Sequence, residues 1–134
     1  MNLPPNSIIA SGPVIIENDK VLLNRERKGE KISPWFFPGG EVENFAEDLT
    51  QACRREVKEE MGIDIEIIKP LNTTLRKLDD NSIVVLVHYL AKRIGEINPG
   101  SNIVEWDWHD MRNLPENCAP NVFEVIKGYL GELA

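Results

Sequence analysis

The chain has few cysteines, few histidines and no excess of basic residues, and each shortage argues against a class of protein. Its two cysteines, Cys53 and Cys118, form neither a disulfide framework nor a recognisable metal-binding pattern. The two histidines, His88 and His109, stand alone, and we interpret each as a structural or surface residue rather than a ligand. The net charge of −7 argues against a broad basic face, so no nucleic acid polymer is expected as a partner.

Long hydrophobic runs are also missing. The longest apolar stretch, residues 83–87, is far too short to span a bilayer, so no membrane partner is expected. The N-terminus has no basic region followed by an apolar run, which would mark a targeting segment. There are no repeats, low-complexity tracts or linkers. With 134 residues, 42% of them hydrophobic, the chain is expected to form a single domain over residues 1–134 and to be cytoplasmic.

The order of predicted elements indicates an α/β fold. Alternating apolar residues and turn signals predict strands over 7–16, 20–24, 35–37, 63–68, 73–78, 82–92 and 104–109. The polar segment 25–33 is predicted as a loop, and an amphipathic pattern predicts a closing helix over 122–130. A mixed β-sheet flanked by a helix on each face, an α/β/α sandwich, satisfies this order.

What the chain does have is a cluster of acidic residues in one predicted helix, over about 47–61. Apolar residues recur along this helix at three- and four-residue steps: Leu49, Ala52, Cys53 and Val57. Glu56, Glu59 and Glu60 lie within an arc of about 100° on it. Because like charges this close repel one another, a bound Mg²⁺ or Mn²⁺, which prefer oxygen ligands, explains the cluster. The alternative, a solvated acidic helix end, explains Glu59 well and Glu60 poorly.

The segment that carries the cluster resembles the Nudix box, G-x5-E-x7-R-E-U-x-E-E-x-G-U, in which U is a bulky aliphatic residue. Every position of the pattern from its first glutamate onward is matched: Glu47, Arg55, Glu56, Val57, Glu59, Glu60, Gly62 and Ile63. The one departure lies upstream, where six residues rather than five separate Gly40 from Glu47. Residues 21–23, residues 35–38 and Trp108 also fall where Nudix domains place similar residues, so the resemblance spans most of the chain.

The resemblance implies the Nudix α/β/α sandwich and a Mg²⁺-dependent hydrolase that cleaves the diphosphate linkage of nucleoside diphosphate linked compounds. The implied metal ligands are Glu56, Glu59 and Glu60, with the backbone carbonyl of Gly40 as a further oxygen, and Mn²⁺ is expected to substitute for Mg²⁺. Either Glu60 or Glu56 could also act as a base, and the sequence does not separate that role from ligation.

Two further features of the catalytic machinery follow from the same resemblance. Glu47 and Arg55 lie eight residues apart, a little over two turns of an ideal helix, so their side chains would not face each other directly on that helix. The family nevertheless implies an ion pair between them. Many Nudix enzymes add a glutamate from a late loop. Glu105 and Glu96 are the candidates here. We assign the catalytic role to Glu105, with a solvated loop residue as the alternative for either glutamate.

Substrate recognition is the least specified part of the sequence. Arg25 and Arg27 alternate with Leu23 on a segment that leads toward the site, so they are candidates to contact a phosphate, with ordinary surface cations as the alternative. The signatures of ADP-ribose-, dinucleotide- and NADH-cleaving members are missing. We therefore expect a small-molecule nucleotide substrate, with nucleoside triphosphates slightly ahead of nucleotide sugars or ADP-ribose. The alternatives are a diphosphate-ester isomerase and a non-catalytic nucleotide-sensing module, and a homodimer is expected from the resemblance.

Overall fold

The computed structural model describes residues 3–134, and within them the chain forms one mixed sheet between two helices. The elements in chain order are β1 (Ile8–Glu17), β2 (Lys20–Lys28), β3 (Lys31–Ile32), β4 (Gly40–Glu41), α1 (Leu49–Met61), β5 (Asp64–Pro70), β6 (Thr74–Lys77), β7 (Ile83–Ile94), β8 (Ile103–Asp110) and α2 (Pro120–Leu133). The predicted single domain over 1–134 includes Met1 and Asn2, which lie outside the described residues.

The sheet is built around β1 and β7, which run parallel along most of their length. Its central order is β3-β2-β1-β7-β5, while β4 pairs with β1, β6 with β7 and β8 with β2. All pairings other than β1–β7 are antiparallel. The alternation of β1 and β2 decides which side chains meet which helix, because successive residues of a strand point to opposite faces.

Each face of the sheet forms a separate core with one helix. Val14 of β1 and Leu23 of β2 pack with residues of α2, including Val125. The neighbouring residues Ile15 and Leu22 point the other way and pack with residues of α1. This two-layer burial confirms the predicted α/β/α sandwich.

The predicted loop over 25–33 is wrong. β2 continues through Lys28, and the chain then reverses at Gly29, whose φ of +64° is left-handed, into β3. The segment is polar because most of the side chains of this hairpin are exposed to solvent, and this composition favoured a loop in the prediction. The strand predicted over 35–37 is reduced to isolated bridges, Asn24 with Phe36 and Trp35 with Cys118.

Helix α1 is shorter at its start than the sequence indicated. Asp48 is the N-cap: its side chain accepts a hydrogen bond from the backbone N–H of Gln51, and the Gln51 side chain accepts one from the backbone N–H of Asp48. Gly62 ends the helix with a left-handed φ of +70°. Glu47 therefore lies outside the helix, where its side chain is free to fold back along it. Over residues 3–134, neither helix is long and apolar enough to cross a membrane.

Candidate active site

The site is organised around the turn at Gly39 and Gly40, which packs against β1 on one side and α1 on the other. Gly39 has a φ of +137°, and a Cβ there would collide with the carbonyl oxygen of Ser11. A Cβ on Gly40 would collide with Oε2 of Glu56. The backbone N–H of Gly39 also donates to Oε2 of Glu60 at 3.4 Å. The two glycines thus let two carboxylates of α1 approach the backbone of the turn.

Arg55 holds three of the acidic side chains around it. Its Nε and Nη2 donate to Oε1 of Glu47 at 2.9 and 2.8 Å. Its Nη1 donates to Oε1 of Glu56 at 2.8 Å and reaches Oε1 of Glu59 at 3.5 Å. Hydrogen bonds from Glu47 and Glu56 raise the pKa of Arg55 above its usual range. Arg55 therefore fixes the loop before the helix and one oxygen of Glu56, whose other oxygen lies at Gly40.

Glu60 is the most perturbed carboxyl group of the cluster. Burial, followed by the negative charge of Glu26 on β2, raises its pKa to about 8. Burial also raises the pKa of Glu56, against the lowering effect of Arg55. Only 8% of Glu26 is exposed, and its charge is close enough to Glu60 to raise the pKa of that group. Sequence reasoning missed Glu26 because it fell in the segment predicted as a loop; the alternation of Leu22, Asn24 and Glu26 along a longer β2 was the available signal.

These residues have the donor chemistry for a hard divalent cation. One carboxylate oxygen of Glu60 lies at Gly39 and one of Glu56 at Gly40, and carboxylate oxygens are the type of ligand that Mg²⁺ and Mn²⁺ prefer. Oδ1 of the fully buried Asn24, on the same face of β2 as Glu26, has no hydrogen-bond partner within residues 3–134. In that part of the chain, no three acidic, histidine or cysteine side chains already converge on one point. Arg55 engages Oε1 of Glu56, so Oε2 of Glu56, which lies at Gly40, is the oxygen left to face a cation.

The remaining predicted site residues lie apart from the glycine turn. Arg25 is on the opposite face of β2 from Glu26, with its guanidinium 5.9 Å from the ring centre of Trp35 and a 3.2 Å ion pair to Glu105. Arg27 shares the face of Arg25 and is exposed. Glu105 lies in β8 rather than in a loop, with half of its side chain exposed.

Glu96, the alternative late glutamate, is exposed after the end of β7 and lies near Arg93. The roles predicted for Arg25, Arg27 and Glu105 therefore stay predictions. None of them contacts a helix glutamate among the interactions of residues 3–134.

The fold and the glutamate-bearing helix beside a glycine turn match one family. The NUDIX domain family profile matches residues 9–128, so the chain belongs to this family. The ADP-ribose pyrophosphatase of Methanocaldococcus jannaschii is 32% identical over 120 residues, which cover 87% of this chain and 69% of that protein. The 8-oxo-dGTP diphosphatase of Proteus vulgaris is 33% identical over 78 residues, which cover 58% of this chain and 69% of that protein.

A solved structure shows the same fold over almost the whole chain. The crystal structure of a MutT protein from Methanosarcina mazei Go1 superposes with a TM-score of 0.85 at 20% identity, covering 98% of this chain and 99% of that one. At this identity the likeness concerns the fold alone. Family and relatives together identify the chain as a Nudix pyrophosphohydrolase, an enzyme that acts on phosphoanhydride bonds.

Proposed function

We propose that this enzyme is a Mg²⁺-dependent hydrolase of nucleoside diphosphate linked compounds, with nucleoside triphosphates as its preferred class. The observation that supports the proposal is the placement of Glu56 and Glu60 against Gly39 and Gly40, with Arg55 holding the outer oxygen of Glu56. The buried Glu56 and the half-buried Glu60 are unfavourable as charged groups unless a cation or a proton compensates them, and a divalent cation compensates both at once.

The residues divide the work of cleaving a phosphoanhydride between them. Glu56, Glu59 and Glu60 would hold the cation together with the carbonyl oxygen of Gly40. Bound Mg²⁺ supplies charge neutralisation for the diphosphate and lowers the pKa of an attacking water. Glu60 and Glu56 are both candidates for the base that takes a proton from the attacking water, in addition to their part in holding the cation.

Arg55 has a supporting part in this scheme. It hydrogen-bonds to Glu56 and to Glu47 in the preceding loop, and so holds the Glu56 carboxylate beside the glycine turn. Residues that orient metal ligands in this way affect metal affinity and rate without contacting the substrate.

The relatives support a substrate with a nucleoside joined to a diphosphate. One is named an ADP-ribose pyrophosphatase and the other an 8-oxo-dGTP diphosphatase, and both of those compounds contain this group. We rank triphosphates, including oxidised ones, ahead of nucleotide sugars and ADP-ribose. Arg25, Arg27 and Glu105 remain candidates to contact the substrate from β2 and β8.

A substrate panel tests the proposal. Purified enzyme is incubated with nucleoside triphosphates, 8-oxo-dGTP, ADP-ribose and nucleotide sugars, with Mg²⁺, with Mn²⁺ and with EDTA, and nucleoside monophosphate release is measured. We expect release only with the metal ions, and a rate lower by about 100-fold or more for Glu60→Gln. Glu30→Gln, an exposed change at the tip of the β2–β3 hairpin, is the matched control and should keep the wild-type rate.

The same panel separates the alternatives. Isomerisation of a diphosphate ester without release of phosphate products would favour the isomerase, and nucleotide binding without turnover would favour the sensing module. Equal inactivity of the wild type and Glu60→Gln on every diphosphate would end the hydrolase proposal. The cytoplasmic location and the homodimer are further proposals, tested by fractionation of the source cells and by sedimentation of the purified protein.

A further inference from the structure

Glu26 is a buried carboxylate outside the Nudix box, and its surroundings do not compensate its charge. Only 8% of the residue is exposed. The basic partner found for it within residues 3–134 is Lys28 at 3.2 Å, whose side chain is 79% exposed. An ion pair with so exposed a lysine contributes little, because solvent screens it. The other charged neighbour is Glu60, which carries the same sign of charge.

The backbone holds Glu26 firmly in this unfavourable place. The amide of Glu26 donates to Oγ of Ser33, and the amide of Ser33 donates back to the carbonyl of Glu26, both at 2.9 Å. Two residues earlier, Asn24 and Phe36 exchange backbone hydrogen bonds of 2.9 and 3.0 Å. The strand that carries Glu26 is therefore tied to the segment that runs directly into Gly39. These bonds fix the backbone of Glu26, and with it the point from which its side chain extends toward α1.

A second, independent observation indicates a ligand on this face of β2. Asn24 is fully buried, its Nδ2 contacts Sδ of Met61 at 3.5 Å, and its Oδ1 has no hydrogen-bond partner among the described residues. Buried polar atoms are normally paired, and an orphaned oxygen calls for an explanation such as an ion or its bound water. Asn24 and Glu26 thus present two uncompensated oxygen-bearing side chains beside Glu60 and Met61.

We propose that Glu26 is a further carboxylate of the divalent-cation site, contributed by β2 and facing the glutamates of α1. The inference rests on the proposed function, since it assumes that the helix glutamates hold a cation. It extends the site to a second element of the fold: α1 supplies Glu56, Glu59 and Glu60, and β2 supplies the carboxylate that closes the opposite side. A cation between Glu26 and Glu60 accounts for a buried carboxylate and a half-buried one that are otherwise placed against each other.

The test is Mn²⁺ binding, followed by the loss of the EPR signal of free Mn²⁺ as enzyme is added, in the absence of any nucleotide. We expect Glu26→Gln, which keeps the side-chain size and removes the charge, to bind Mn²⁺ about 10- to 100-fold more weakly than the wild type. Glu26→Asp keeps the charge on a shorter side chain and should fall between the two. Glu30→Gln, on the same hairpin but exposed, should bind like the wild type. Circular dichroism checks that each variant is folded.

The outcomes separate this inference from the proposed function. Wild-type affinity or tighter binding in Glu26→Gln overturns the role of Glu26, and so does an equal loss in Glu30→Gln, which would indicate a general charge effect. If Glu26→Gln does not fold, Glu26→Asp decides the question by the same criterion. Failure of the wild type to bind Mn²⁺ and to hydrolyse any diphosphate overturns the proposed function itself. If the wild type hydrolyses nucleotides and Glu26→Gln binds Mn²⁺ as tightly as the wild type, only the role of Glu26 is overturned.

Discussion

Arg55 donates two hydrogen bonds to one oxygen of Glu47, from Nε at 2.9 Å and from Nη2 at 2.8 Å. This pair joins the loop that follows the glycine turn to the second turn of α1. It forms because Glu47 lies before the N-cap and not in the helix, so its side chain reaches back along the helix surface. Arg55 uses its remaining nitrogen on Glu56, and the guanidinium therefore couples the position of the loop to that of a predicted metal ligand.

Replacing Arg55 should disturb the site more than the fold. In Arg55→Gln, we expect hydrolysis to fall about 10- to 100-fold because Glu56 loses its orienting partner. The free energy of unfolding should fall by only about 1 kcal/mol, since the arginine side chain is about one-third exposed. Arg55→Lys keeps the charge but not the planar fork, and should recover less than half of the lost activity. Rates and urea unfolding curves of each variant are the measurements.

The control for this prediction lies one residue away. Arg54 is exposed on the same helix, and Arg54→Gln should leave the rate within about a factor of two and the stability within about 0.5 kcal/mol of the wild type, as is usual for surface changes. Equal effects of the Arg54 and Arg55 changes would show that net positive charge, not the hydrogen-bond geometry, is what matters.

Glu60→Gln should stabilise the metal-free protein, and more so at high pH. The pKa of Glu60 is raised to about 8 in the folded protein, from about 4.5 in the unfolded chain. The folded state therefore binds the proton more tightly, and the wild type loses stability as pH rises from 4.5 through 8. The glutamine variant has no such proton to lose. Urea unfolding in EDTA at about pH 5, 7 and 9 should show a difference that grows with pH and levels off above about pH 8.

The matched control for Glu60 is Glu59, its exposed neighbour on the same helix. Glu59→Gln should change the free energy of unfolding only slightly, because 59% of the Glu59 side chain is exposed. If the advantage of Glu60→Gln were the same at both ends of this pH range, burial of the Glu60 charge would not be its cause.

The helix and its carboxylates could be predicted from the sequence because their arrangement is local. The spacing of Glu56 and Glu60 fixes their direction once the helix is assigned, and in the structure both lie at the glycine turn. The pair of Glu47 and Arg55 came from the family resemblance, since ideal helix geometry would separate them. The pair forms because the helix starts after Glu47, with Asp48 as its N-cap. A shift of the helix start by one or two residues would change this geometry.

Glu26 could not be found in the same way, because its contact with Glu60 is set by tertiary packing. A strand residue and a helix residue far apart in sequence meet only when the register of the sheet is known. The polar run 25–33 favours a loop by composition, yet pairing with β8 and β3 continues β2 through it. Arg25 and Arg27 are predicted as phosphate contacts because their strand leads toward the site, with ordinary surface cations as the alternative; strand alternation places both on the face opposite Glu26.

His88 should make the fold less stable in mild acid. Its Nδ1–H donates to the carbonyl of Asn72 at 2.7 Å, and its Nε2 accepts from Nδ2 of Asn121 at 3.0 Å, so the buried ring is neutral. Burial lowers its pKa below 6.5, although Glu124 acts in the opposite direction. The unfolded chain therefore takes up a proton first, and stability falls as pH drops through about 6.5, by at most about 1.4 kcal/mol per pH unit for one proton.

NMR titration of the two histidines checks the first part of this prediction, with the ring of His88 expected to titrate below pH 6.5. The second part compares urea unfolding at about pH 7.5 and 5.5 for the wild type and His88→Gln. The variant should be less stable at the higher pH, because it loses a hydrogen bond, but should lose less stability between the two pH values. A wild-type ring that titrates above 6.5 would contradict the prediction directly.

Replacing the two glycines of the turn should have different effects: Gly39→Ala should lower stability, and Gly40→Ala should weaken cation binding. In Gly39→Ala, the new Cβ meets backbone atoms of Ser11 and Gly12 at a φ of +137°, and neither can move aside without disturbing β1. We expect a loss of about 1–3 kcal/mol in the free energy of unfolding, or more. In Gly40→Ala the obstacle is the end of the Glu56 side chain, which can rotate away. That variant should fold with near wild-type stability and bind Mn²⁺ more weakly, since Glu56 is displaced from the turn.

Urea unfolding and Mn²⁺ titration of both variants separate the two effects, with Gly131→Ala as the control. Gly131 lies in α2, and a Cβ added there would meet nothing within 4 Å, so alanine should be neutral or stabilising by up to about 1 kcal/mol. Wild-type Mn²⁺ affinity in Gly40→Ala would show that the closeness of Glu56 to the turn does not serve cation binding. Weak Mn²⁺ binding without any loss of stability is the result that assigns Gly40 to the site, because a purely structural glycine would change both quantities together.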